Sequence, residues 1–349
     1  MVIYATVPGF YAEVERAADP ALAERPVIVG GDPRKHGLVQ SASEDAAAAG
    51  VTVAMPMRDA LARCPHARVR KTNMKAYRAV AGRLRACFRQ ETERMEPQGT
   101  GAAFLDVSGS DDRPEDVAVR LRERVSATLS LPLRVGIGPV RFVAKLAAEE
   151  SGPSGLLCVR PGELRRFLDP LPVTKLPGVG PRTEETLLAL GATNVADLLK
   201  VGRDRLEERL GNHGRAIHIL AQGIDSATVR AAPHPRTLSH EITLTTPEVD
   251  RSVLEARLGE LANDVERSLA RERLAAKRVV LKVRYADLGT TTRSRTERHA
   301  LTGAAELLPL AADLLARTQA GSRPIRGLGL AVSTLVTRRR DDRQLDLFG

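Results

Sequence analysis

Residues 99–107, GTGAAFLDV, form a glycine-rich turn that runs into an apolar strand. Residues 4–15, YATVPGFYAEVE, show the same pattern of strand, tight turn and helix. A strand that ends in a tight turn is a place where an enzyme can hold acids for a divalent metal. The first stretch offers Gly101 and Ala102 there, and the second offers Thr6 and Pro8. Glu13 and Glu15 sit further on, in the helix after the turn, and read as surface or structural acids.

Two other stretches suit a phosphate backbone. In LPGVGPRTEETLLALGATNVADLL (176–199), Gly178 and Gly180 form a Gly-x-Gly turn ahead of a short helix that begins near Arg182 and Thr183. Backbone N–H groups at such a turn suit a phosphate, and glycine lets a backbone approach closely. This is a helix-hairpin-helix pattern, which grips DNA without reading its sequence. An ordinary helical hairpin would use the same residues; the basic chain favours DNA.

In RVVLKVRYADLGTTTRSRT (278–296), strand alternation puts Val279, Leu281, Val283 and Tyr285 on one face and Lys282 and Arg284 on the other. Thr291, Thr292, Arg293 and Arg295 follow on the next strand. Hydroxyls and cations gathered on one sheet face suit a phosphate track. Near the C-terminus, QLDLF (344–348) reads as an apolar hook: Leu345, Leu347 and Phe348 for a partner's pocket, Gln344 for its rim.

The elements that position these residues alternate between strand and helix. MVIYATV, PVIVGG, HGLVQSAS, AAFLDVSG and LRVGIGP read as strands. FYAEVERAADPALAERP, residues 44–49, MKAYRAVAGRLRACFRQETERM (74–95), PEDVAVRLRERVSATLSL and VRFVAKLAAEESGPSG read as helices. Residues 1–165 are therefore expected to form an α+β domain. Residues 166–230 read as short helices broken by Gly and Pro, 231–235 as a linker, 236–337 as a βαββαβ module and 338–349 as a tail.

The 349 residues are 43% hydrophobic and 28% charged, an ordinary soluble composition. The net charge of +10 and pI of about 10.0 suggest an anionic partner, and the last third of the chain carries about half the surplus. Cys64, Cys87 and Cys158 are widely spaced, and the seven histidines lack ligand spacing. No disulfide framework or zinc site is expected. With no signal-peptide pattern and no membrane-length apolar run, a cytoplasmic protein is expected.

Taken together, the chain resembles the Y-family translesion DNA polymerases of the polymerase IV type over essentially its whole length. The likeness rests on FYAEVE (10–15), RPVIVGG (25–31), GVTVAMPMRDALARCP (50–65), FLDVSG (104–109), GIGPVRFVAKLAAEESGPSG (136–155), LPGVGPRT (176–183), LKVRYADLGTTTRS (281–294), IRGLGLAVSTL (325–335) and QLDLF. It implies a right hand of palm and fingers, a helix-hairpin-helix thumb and a little finger, with the terminal peptide as a sliding-clamp motif.

Active members of that family hold two Mg²⁺ on acids that by position fall on Thr6, Gly101 and Ala102. Asp106 lies four residues beyond Ala102, roughly 13 Å along a strand. Mg²⁺ needs oxygens at about 2.0–2.1 Å, so Asp106 cannot stand in. The family's triphosphate-binding Tyr and Arg fall on Glu44 and Ala47. An acid there would repel a triphosphate by about 4 kcal/mol per charge pair at about 4 Å and an effective dielectric of about 20. Tyr11, at the sugar-gate position, and Lys145, at a phosphate-contact position, remain.

The expectation is a DNA- and clamp-binding homologue without nucleotidyl transfer and without a cofactor. Degenerate relatives add a second, error-prone polymerase as a partner. The alternative is an active translesion polymerase with Mg²⁺ at a relocated site.

Overall fold

Ile3 and Ala5 of the first strand, β1 (Val2–Thr6), face one side while Tyr4 and Thr6 face the other. This strand is central in a five-stranded sheet, with β6 (Ala102–Asp106) and β7 (Arg134–Gly138) beside it and β5 (Met95–Gln98) and β8 (Leu156–Cys158) at the edges. All neighbours are antiparallel except β7 and β8. On the Ile3 side, α4 (Met74–Arg89) and α5 (Pro114–Leu129) bring Leu84, Phe88, Leu121 and Val125 into a fully buried core with Leu105 and Ile137. On the Tyr4 side lies α6 (Arg141–Glu149). It packs against bare backbone, because a β-carbon at Gly136 would stand 2.1 Å from the Ala144 carbonyl oxygen.

The computed structural model describes residues 1–35, 37–230, 237–287 and 289–337. They fall into two units, Met1–Ala232 and Pro233–Gly349. The first unit also holds α1 (Phe10–Ala18) and a smaller sheet ordered β3 (Val39–Ala42), β2 (Val27–Gly30), β4 (Arg68–Lys71). With α2 (Glu44–Ala48) and α3 (Met57–Arg63) this sheet encloses its own core of Ile28, Val39, Ala46, Val51 and Met57. Five short helices follow: α7 (Leu164–Leu168), α8 (Pro181–Ala189), α9 (Val195–Val201), α10 (Arg203–Leu210) and α11 (Asn212–Ala221). Leu187, Leu198, Leu206 and Ile217 join them to Phe142 and Val143 of α6.

The second unit is a four-stranded antiparallel sheet in the order β11 (Thr290–Leu301), β10 (Leu274–Tyr285), β12 (Ile325–Thr337), β9 (Thr237–Glu248). The helices α12 (Arg251–Glu272) and α13 (Ala304–Ala316) pack on one face, against Val279, Leu281, Val283, Leu328 and Leu330. The chain order is βαββαβ, and the whole is α+β.

The helix expected over 74–95 ends at Arg89, and Met95–Gln98 becomes an edge strand. The turn between them is pinned by Glu91, whose buried carboxylate accepts from Arg120 at 2.9 Å and also from Arg124. The strand β4, with sequence RVRK, has no apolar alternation and gave no signal. The expected linker and the hook residues Gln344, Leu345, Leu347 and Phe348 lie outside the described residues.

Candidate functional site

Register fixes what stands at the end of the large sheet. Thr6 pairs with Ala102 on one side and with Arg134 on the other, and Ala102 pairs with Gln98. Directly paired residues share a face, so one row reads Gln98, Ala102, Thr6, Arg134. It offers an amide, a methyl, a hydroxyl and a guanidinium. Arg134, which the sequence reading missed, bonds Glu44 of α2 at 2.6 Å and so ties the two sheets' elements together.

Beside the row, Gly101 is buried, and a β-carbon there would stand 2.6 Å from Phe10 Cβ and 2.7 Å from Cγ. Phe10, from its β-carbon outward, thus fills the space a side chain at position 101 would use. Further along the same face, Tyr4 and Phe104 pack with centroids 4.7 Å apart, and Arg141 lies 4.6 Å over the Phe104 ring. Burial pushes the Tyr4 phenol up, opposed by a hydrogen bond with Thr6.

Nearby acids are committed elsewhere. Asp106 pairs with Val2 at the opposite end of β6. Burial disfavours its charge, but the Ser108 hydroxyl and N–H, with Arg94, hold its carboxyl below the usual range. Glu13 is buried against Arg16 at 3.2 Å, and desolvation pushes its carboxyl up. Glu15 accepts from the Tyr77 hydroxyl at 2.7 Å. Glu96 accepts from Arg141 at 2.7 Å and from the Arg230 N–H at 3.0 Å. Among the described residues no three His, Cys, Asp or Glu side chains gather as a metal group. The magnesium pair that the resemblance implies does not fit these residues.

An open cleft of about 350 Å³ lies between the sheets, lined by Phe10, Tyr11, Gln40, Ser41, Ala47 and Thr100 among others; none of the described residues that line it is charged. Tyr11 stacks on the buried Tyr77, centroids 4.4 Å apart and 11° from parallel. Of the four expected pocket residues, Tyr11 and Ala47 reach this cleft. Glu44 is engaged by Arg134, and Lys145 faces Glu149 on its own helix at 3.9 Å.

The Gly-x-Gly turn forms as expected. Gly178 has φ +90°, which favours glycine, and Gly180 is the N-cap of α8, with Arg182 and Thr183 in the first turn. The His213 ring contacts Gly178 and meets its carbonyl oxygen at 3.2 Å. The segment before the turn is a single 3₁₀ turn, Val173–Lys175.

On the second unit the register corrects one expectation. Lys282 pairs with Thr292 and Arg284 with Thr290, on the face that carries no helix. Thr291, Arg293 and Arg295 pair with Val283, Leu281 and Val279, so they belong to the opposite, helix-covered face. There the Arg293 Nε donates to the Arg317 carbonyl at the end of α13, and Arg295 bonds Asp313 at 3.3 Å. The expected single track divides because alternation restarts after the turn: odd numbers on β11 sit with odd numbers on β10. The open face keeps Arg278, Lys282, Arg284, Thr290, Thr292 and Ser294, with Ser239, Glu241 and Thr243 across it on β9.

Family models match nearly the whole chain: the impB/mucB/samB family at residues 6–149, the IMS family HHH motif at 161–192 and the impB/mucB/samB family C-terminal domain at 235–347. DNA polymerase IV of Halorhodospira halophila is 35% identical, over 99% of this chain and 98% of that protein. DNA polymerase IV of Listeria monocytogenes is 33% identical, over 96% and 95%. Among solved structures, a Y-family polymerase chimera of Dbh and Dpo4 superposes with a TM-score of 0.86 at 23% identity, covering 96% of this chain and 99% of that one. DinB from Sulfolobus solfataricus gives 0.71 at 23%, covering 97% and 99%. The two-sheet first unit, the hairpin motif and the βαββαβ module define the class of right-hand polymerases. Within it, the chain belongs to the Y-family DNA polymerases of translesion synthesis, with DNA polymerase IV proteins as its relatives.

Proposed function

We propose that this member holds primer-template or damaged DNA and a sliding clamp but does not transfer nucleotides. The observation that carries the reading is the palm row: Thr6 stands between Ala102 and Arg134, where metal-binding acids would be needed. Two further observations support it. Phe10 fills the space beside Gly101, and none of the described residues lining the cleft is a cation.

DNA contact is assigned to two surfaces. One is the turn of Gly178, Gly180, Arg182 and Thr183, whose N–H groups open a helix. The other is the open sheet face with Lys282, Arg284 and Thr292. Gln344, Leu345, Leu347 and Phe348 are assigned to the clamp, and a second, error-prone polymerase is the partner such a protein would serve. Fluorescence anisotropy with labelled primer-template DNA tests the reading. Binding is expected to weaken steeply with salt and to be indifferent to nucleotide; nucleotide- and metal-dependent tightening would count against it.

The other reading is an active translesion polymerase with a relocated magnesium site. The names of the full-length relatives favour it.

A further inference from the structure

Lys282 and Arg284 stand two residues apart on β10, both on the helix-free face. Neither is free. Glu241 of β9 accepts from Lys282 Nζ at 3.0 Å through one carboxylate oxygen and lies 3.5 Å from an Arg284 nitrogen through the other. These strands are not neighbours, because β12 runs between them. With strands about 4.8 Å apart, the Glu241 side chain must cross a whole strand to reach the cations.

Gly329 makes that crossing possible. It sits in the same row, paired with Lys282 on one side and Glu241 on the other. A β-carbon on it would stand 2.9 Å from Glu241 Cγ and 3.3 Å from Cδ. The glutamate therefore lies flat in the dip left by the missing side chain, its carboxylate delivered between two cations.

A carboxylate held by a lysine and an arginine has the chemistry of a DNA phosphate held by the same pair. We infer that Glu241 is a built-in phosphate surrogate: it occupies the anion position on this face, and a DNA backbone must displace it to bind there. Binding at Lys282 and Arg284 is then an exchange of one anion for another, so affinity is held below what the two cations alone would give. The inference rests on the reading of this face as a DNA contact.

The test is anisotropy of fluorescein-labelled primer-template DNA with the full chain, titrated at several salt concentrations. Glu241→Gln keeps the size and polarity of an exposed residue and removes the charge. It is expected to tighten binding about three- to tenfold and to steepen the salt dependence by about one unit of slope, as one more cation becomes available to phosphate. Gly329→Val, which blocks the crossing without changing any charge, is expected to shift affinity in the same direction. The double variant Lys282→Glu, Arg284→Glu checks the underlying reading separately, and it is expected to weaken binding. If it does not, the face is not a DNA contact and both ideas fall. If it weakens binding while Glu241→Gln leaves affinity unchanged or lower, the surrogate idea alone is overturned.

Discussion

A single β-carbon added at Gly101 would come within 2.6 Å of Phe10 Cβ, a distance that real β-carbons essentially never show, so a neighbour would have to shift. Gly101→Ala is therefore expected to cost about 1–3 kcal/mol through overpacking. Adding Phe10→Ala, which removes Cγ and the ring beyond it, should return part of it; a urea denaturation cycle of the four proteins reads the coupling. Asp106 is an acid in the right stretch of sequence but the wrong place, anchored by Ser108 and Arg94. Its carboxyl ionises more readily folded than unfolded. Its contribution is thus complete above the unfolded value of about 4 and fades as pH falls through the lower folded one. Asp106→Asn should lower the melting temperature at pH 7, with the gap narrowing as the pH falls below the ordinary aspartate value. The absence of acids at positions 6, 101 and 102 was readable from sequence. The arginine beside Thr6 was not, because only the pairing of β1 with β7 brings Arg134 there.

The strand and helix pattern of the second unit could be read from period-two and longer apolar repeats, and its buried face of Val279, Leu281, Val283 and Tyr285 followed from alternation. Which face of β11 joins Lys282 did not follow. A turn resets the phase of alternation, and the choice is made by the hydrogen-bond register between strands. Arg293 and Arg295 are consequently tied to α13. In the anisotropy assay, Lys282→Glu should weaken DNA binding several-fold more than Arg295→Glu; equal effects would mean that the two faces contribute alike. In the first unit, the turn after Arg89 depends on Glu91 meeting Arg120 and Arg124 from α5, a long-range contact that helical periodicity does not encode.

Across the molecule, a net charge of +10 sits on a fold that relatives named DNA polymerase IV share from end to end. The charge favours an anionic partner, while the row of Gln98, Ala102, Thr6 and Arg134 and the uncharged described lining of the cleft speak against metal-assisted transfer. One measurement separates scaffold from enzyme most directly. Purified protein in excess over a labelled primer-template, with all four deoxynucleotides and Mg²⁺ or Mn²⁺, should leave the primer at its starting length although the DNA is bound. Extension of that primer by even a few nucleotides, retained through purification and abolished by no contaminant control, would contradict the account.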